Sequence, residues 1–392
     1  MEDGDSIYED SIYEDSIYEE SMDDTLMGDT PLGWAAGRGH EAVVEMLLGR
    51  ADIDPNKPGE DGQTPLGRAA KNGYEGVVKI LLGRDDINPN QPDSDGLTPL
   101  CWAAENGHEG TVKALLGRDD IDPDKPGGFG QTPLCCAAAT GHSGVVKMLL
   151  GRDDINLNEP DEHGQTPLGY AACDGHELVV EMLLRRDDID PNKPDIDGLT
   201  PLWLAAEDGH KGVVKTLLRR DDVNPDQPDK IGITPLGCAA CEGHELVVEM
   251  LLVRDDVDPN KPDRDGQTPL MSAVSNGHEG VVKMLLRRDD LNPDKPDNNG
   301  RTPLWWAACS GYEGLVKMLL GRDGVDPNKS DTTKYRRTPL GIAAWNRHGG
   351  VMALLQPRTS ADYNSLSPRR LRPAPKDRTD GLFAISTETA IP

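Results

Sequence analysis

The residues of this chain that could do chemistry are cysteines, histidines, aspartates and hydroxyls set in short recurring patterns. Cys238-Ala-Ala-Cys241 has the spacing of half a zinc site, and Cys135 and Cys136 are adjacent. A structural zinc needs four converging ligands. Cys173, Cys241 and Cys309 fill one repeated slot in non-neighbouring segments, so they cannot share an ion, and the thiols read as structural. His40, His108, His142, His176, His210, His244 and His278 also occupy one repeated slot, which marks a structural role. His163 stands apart at a loop tip, where a lone imidazole is usually solvated. Asp263-Arg264-Asp265-Gly266 resembles part of a calcium-binding loop. However, its first ligand position falls on Lys261, and no Glu stands where the bidentate ligand belongs. There is no phosphate-binding glycine loop, nucleophile elbow or kinase signature. No catalytic, cofactor-binding or metal-binding residues are expected.

The hydroxyls concentrate at the N-terminus, where residues 5–19 read Asp-Ser-Ile-Tyr-Glu three times. Ser6, Ser11, Ser16 and Ser21 each have an acidic residue three positions on, as in substrates of acidophilic serine kinases. Tyr8, Tyr13 and Tyr18 sit among acids, as in tyrosine-kinase sites. Each phosphate would add about −1.5 to −2 charges. A period of five suits neither helix nor strand, so the plainer reading is a solvated disordered tail.

The elements that position everything else are announced by Thr-Pro. The dipeptide starts at Thr30, Thr64, Thr98, Thr132, Thr166, Thr200, Thr234, Thr268 and Thr302, always 34 residues apart, and once more at Thr338. Each is followed by Leu, two variable residues and Ala-Ala or Ala-Val, then Gly and usually His, then Val-Val, Leu-Leu and an Asp- and Pro-rich stretch. Thr accepts a hydrogen bond from a free helix amide, and Pro suits the first helical position. In the Thr200 unit, Leu202, Ala205 and Ala206 give a short helix one apolar face, and Gly209 ends it in the left-handed conformation. A second helix is predicted over about 210–219, with Val213, Val214, Leu217 and Leu218 as its stripe. Pro225, Pro228 and Gly232 then force an extended arm closed by a tight turn. One helix pair cannot bury its own faces, so neighbours must stack.

The motif Thr-Pro-Leu-x-x-Ala-Ala-x-x-Gly-His followed by Val-Val-x-x-Leu-Leu resembles the ankyrin repeat, over ten units. The resemblance implies an all-α solenoid whose helix pairs are joined by extended arms with β-turn tips. It implies a concave groove lined by first helices and arm tips that binds protein without catalysis. Two departures stand out. The family's usual His after Thr-Pro-Leu is replaced in every unit, by Gly33, Gly67, Cys101, Cys135, Gly169, Trp203, Gly237, Met271, Trp305 and Gly341. Whatever bond that His makes must be made otherwise. The extra residue over the family's usual period falls in the arm. Three segments follow: an acidic tail over 1–24, the array over 25–357 and a basic Pro- and Arg-containing disordered tail over 358–392.

Charge narrows the partners. The 392 residues carry a net −28, and Met1 to Asp29 hold 12 acidic and no basic residues. Such a chain repels phosphate backbones, so nucleic acid is not an expected partner. No apolar run approaches the roughly 18 residues of a membrane span. Seven cysteines without a disulfide pattern suggest a reducing compartment, cytoplasm or nucleus. A monomer is expected.

Variation on the first helix marks where binding could occur. At 100° per residue, the fourth and seventh residues after each Thr point away from the core. The fourth-residue column holds Trp34, Trp102, Tyr170 and Trp306. These either cement neighbouring first helices or line a binding stripe, since Trp and Tyr dominate interface hot spots. Trp203 adjoins the column. Asp174, Glu207, Asp208 and Glu242 make its middle acidic, while Arg301, Lys334, Arg336, Arg337 and Arg347 make its far end basic. The reading is a scaffold or adaptor that binds a protein partner. The alternative is a signalling effector regulated by phosphorylation of the N-terminal tail, with the array as its targeting module.

Overall fold

The computed structural model describes residues 29–356. Both terminal tails, with Ser6, Ser11, Ser16, Ser21, Tyr8, Tyr13 and Tyr18, lie outside the described residues. The described residues form ten consecutive pairs of short α-helices, with no strand among them. In all ten units the threonine Oγ1 accepts the N–H three residues on, with Pro at the first helical position. The first helices are seven or eight residues long, such as Pro201–Glu207 and Pro235–Glu242. The second are equally short: Lys211–Leu217 follows the first of these, slightly inside the predicted span. Helices this short are not stable alone, so stacking must supply their stability.

The core runs the length of the array. Leu202, Ala205, Ala206, Val213, Val214 and Leu217 are buried, as are their counterparts in neighbouring units. First helices approach one another more closely than second helices do. The cause is size: Ala pairs separate the first helices, whereas Val and Leu separate the second. Closer spacing on one side curves a stack toward that side, which puts the first helices on the inner face.

Gly209 takes φ +70°, as expected at the end of a first helix. A Cβ there would also collide with the His244 ring of the next unit. That ring has its own task. Nε2 of His108, His176, His210, His244 and His278 lies 2.7–3.0 Å from the carbonyl oxygens of Lys71, Ala139, Cys173, Glu207 and Cys241, each 37 residues earlier. A carbonyl only accepts, so these imidazoles carry their proton on Nε2. The repeated histidine is thus an inter-unit staple. In the last unit Arg347, standing where others have Gly, adopts φ +65°.

The missing family histidine is replaced where the side chain allows it. Trp203 Nε1 donates to the Ile233 carbonyl at 3.0 Å, and Trp305 Nε1 to the Arg337 carbonyl at 3.1 Å. Each acceptor immediately precedes the next unit's threonine. Trp203 is therefore buried and committed to inter-unit packing, which removes it from the exposed candidates for partner contact. Its place, one residue before the outward column, points it into the gap between units.

The arms form two further ladders. Arg118 Nη1 bonds the Leu82 carbonyl at 2.8 Å while its other nitrogens grip Asp120, and the same pattern recurs at Arg84, Arg152, Arg186, Arg220, Arg254 and Arg288. In the second ladder, Asn90 Nδ2 donates to the Asp120 carbonyl at 2.7 Å while its Oδ1 accepts the Asp122 amide at 2.9 Å. Asn56, Asn158, Asn192 and Asn260 repeat it.

On the second helices, Glu and Gly alternate between neighbours. A Cβ at Gly76, Gly110, Gly144, Gly212, Gly280, Gly314 or Gly350 would collide with the carboxylate of Glu41, Glu75, Glu109, Glu177, Glu245, Glu279 or Glu313 of the preceding unit. Each carboxylate thus lies over the first turn of the next second helix, where free amides favour negative charge. Where the acid is missing, at Ser143 and Lys211, the next unit carries Leu178 and Leu246 instead of Gly. Glu75, besides lying against Gly110, forms an ion pair with Lys79 one turn along its own helix.

Candidate functional site

The inner face is built by the residues four and seven after each Thr, because Leu and the Ala pair claim the opposite side of each first helix. Trp34, Trp102, Tyr170 and Trp306 are all half-buried, and each is held by neighbours. Trp102 Nε1 donates to Asp93 Oδ2 at 2.7 Å, and Lys71 Nζ lies 3.6 Å from its ring centroid. The Tyr170 hydroxyl donates to Asp161 Oδ2 and accepts from Gln131 Nε2, both at 2.6 Å. Burial first, then Asp161, push its phenol well above the usual range. Trp306 meets Trp305 edge-on at 5.4 Å, and Arg301 lies against both rings. Trp34 carries Arg38 over its ring at 5.0 Å. Trp102 and Tyr170 therefore contact the preceding unit, Trp306 packs with Arg301 and Trp305 beside it, Trp34 contacts its own unit, and all four still present ring surface to solvent.

Asp174, Asp208 and Glu242 are exposed, and Glu207 is half-buried among them. Burial, followed by Asp208, Glu242 and Asp229, pushes the Glu207 carboxyl up to about 7. Asp174 is raised by burial, against the lowering effect of His176. A cation arriving beside such carboxyls favours their ionised form. At the far end Arg337 stacks on Tyr335 at 4.6 Å and on Trp345 at 4.2 Å.

The other chemical candidates resolve into structure. Asp263 Oδ1 accepts the amides of Asp265 and Gln267 at 2.9 and 2.8 Å, so it closes its own turn. Asp93, Asp161, Asp195, Asp229 and Asp297 do the same at their tips. Apart from Asp263, these turn-closing aspartates were not singled out from the sequence, although their fixed place directly after each arm's last Pro was visible there. His163 stacks on Phe129 of the preceding tip at 6.5 Å. All seven cysteines are free; burial pushes the Cys135 and Cys173 thiols up to about 12. Among the described residues no three His, Cys, Asp or Glu side chains converge in a metal-holding geometry. No described helix is long and apolar enough to cross a membrane.

Helix pairs at a fixed period, stapled through one buried core and presenting a continuous inner face, define a helical-repeat solenoid. The chain belongs to the ankyrin-repeat family: it matches the family described as "Ankyrin repeats (3 copies)" over residues 12–93, 32–126, 118–195, 187–263 and 253–331. That family is a protein-interaction module and is typically non-catalytic. No curated protein matches the chain.

Proposed function

We propose that the chain is a non-catalytic scaffold or adaptor whose inner face binds a protein partner. The observation that carries this reading is the half-buried column Trp34, Trp102, Tyr170 and Trp306, fixed in place by cations and hydrogen bonds while part of each ring stays open to solvent. Rings already ordered lose little entropy on binding, and Trp and Tyr are the commonest interface anchors. Asp174, Glu207, Asp208 and Glu242 beside them favour a partner with basic groups.

The test measures affinity and melting temperature on the same variants, using the partner recovered by the wild-type chain. Trp102→Ala is expected to cost about 2 kcal/mol or more of binding. Glu207→Lys with Glu242→Lys is expected to lower the association rate and its salt dependence. Lost stability with unchanged affinity would assign the column to inter-unit packing alone.

A further inference from the structure

The N-terminal end of the inner face differs from the rest of it. A cavity of about 300 Å³ opens there, with Trp34 as its wall and Gly33, Gly37 and Arg68 among its lining. Its floor is low because the first helix has Gly at two positions; a Cβ at Gly37 would meet only the Arg68 methylenes, at 3.5 and 3.7 Å. Three cations line it, Arg38, Arg68 and Lys71. Arg68 is bound to Asp29 and Asp61, and its buried Nε has no partner. Arg38 is exposed and its described contact is the face of Trp34; Lys71 rests on Trp102. Neither has an ion-pair partner among the described residues. A flat ring thus finds an indole wall and a glycine floor, and an attached carboxylate finds two cations that rest on aromatic rings and form no ion pair among the described residues.

The chain holds that chemistry in the segment that precedes Asp29 in sequence. Asp29, where the described residues begin, lines it. The residues before it repeat Ile-Tyr-Glu at Tyr8, Tyr13 and Tyr18. Met1 to Asp29 carry −12, and the remainder of the chain carries −16. Most of the array therefore repels the segment, while Arg38 and Lys71 attract it where it begins. Tyr18 lies 11 residues before Asp29, within an extended reach of roughly 36–40 Å. Closing so short a loop costs little, and three copies of the motif on one tether give an effective concentration on the order of millimolar.

We propose that this cavity is a docking site for the chain's own Ile-Tyr-Glu motifs, with the tyrosine ring against Trp34 and the following glutamate on Arg38 and Lys71. Docking in this way makes the N-terminal segment an intramolecular competitor for the first two units of the inner face. The proposal does not depend on which partner the rest of that face takes.

The experiment uses the full chain with Tyr18 replaced by the photocrosslinker benzoylphenylalanine, irradiated when dilute and mapped by peptide mass spectrometry. Crosslinks are expected within the same chain, to residues 33–38 and 68–72. Their yield should fall about tenfold in Arg38→Glu, a surface change that leaves the core intact. It should also fall as salt rises from about 0.05 to 0.5 M. Trp34→Ala tests the ring wall, with helical circular dichroism as its folding control. Crosslinks spread along the array, crosslinks joining two copies, or a yield indifferent to Arg38→Glu would each overturn the proposal.

Discussion

At the scale of single residues, the arm ladder exposes an imperfect position. Asn56, Asn90, Asn158, Asn192 and Asn260 donate and accept at once, but Asp124, Asp226 and Asp294 fill the same slot with a carboxylate. In each of the three, Oδ1 is buried without a partner. Lys261 and Lys329 stand 3.5 and 2.9 Å from Asp226 and Asp294. The corresponding residue for Asp124 is Glu159, which offers no compensation. Burial pushes the Asp124 carboxyl above its ordinary range, with Asp122, Asp154 and Glu159 adding to the shift. A carboxyl whose folded pKa is raised penalises the folded state once it ionises. Stability on its account is greatest below the unfolded pKa and is lost as pH rises through the folded one. Asp124→Asn restores a donor facing the next arm and should stabilise the chain by about 1 kcal/mol at pH 7. The advantage should shrink as pH falls through the raised folded pKa toward the ordinary carboxylate range, and level off below it. Thermal melts of both proteins across pH check the sign; a gain that grows in acid would contradict the assignment.

At the scale of the element, second helices are coupled by the Glu–Gly alternation. Gly in a helix ordinarily costs about 0.5–1 kcal/mol relative to Ala. Here its missing Cβ lets the preceding unit's carboxylate reach the helix N-terminus, an interaction worth roughly 0.3–1 kcal/mol. The two effects nearly offset, which makes the pair visible only as a coupling. Gly212→Ala should change stability little in the wild-type chain and stabilise it clearly in a Glu177→Ala background. Denaturant melts of the two single variants and the double variant close the cycle. Equal effects of Gly212→Ala in both backgrounds would mean that the carboxylate's position contributes nothing. The sequence displays the alternation, including its two exceptions at Ser143–Leu178 and Lys211–Leu246, yet only the spatial stacking of helices 35 residues apart gives it meaning.

At the scale of the whole molecule, the helices of the described units pack mainly within a unit and on the adjacent one, so stability should follow from units and interfaces in series. Removing Thr132 to Gln165 should leave the remainder folded, with helical circular dichroism falling only by the deleted share. That deletion sets Glu109 beside Leu178. Removing Thr132 to Leu199 instead sets Glu109 beside Gly212 and restores the matched pair. The longer deletion should therefore melt with the sharper transition, although it lacks more of the array. Deleting Thr338 to Pro357 strips the last helix pair from Leu304, Leu315 and Leu319 and should promote aggregation, measurable by light scattering. Collapse of circular dichroism in either internal deletion would contradict independent units.

The repeat, its ten helix pairs, the threonine caps, the terminating glycines and the apolar stripes are local physics. Each is set by residues within a few positions of one another, and the period of 34 multiplies the signal, so the sequence alone determines them. The structural role of the repeated histidine was legible for the same reason, but its bond was not, since the acceptor lies 37 residues earlier in another unit. Trp203 marks the boundary of this logic. Helical spacing places it next to the outward column, and only the neighbouring unit's carbonyl at Ile233 decides that it turns inward and is buried. The N-terminal cavity likewise belongs to the tertiary structure, because it exists between Trp34 and Arg68 of adjacent units and nowhere along the chain. Contacts within a helix follow from spacing; contacts between units follow from which surfaces are left over once every helix has buried its own stripe.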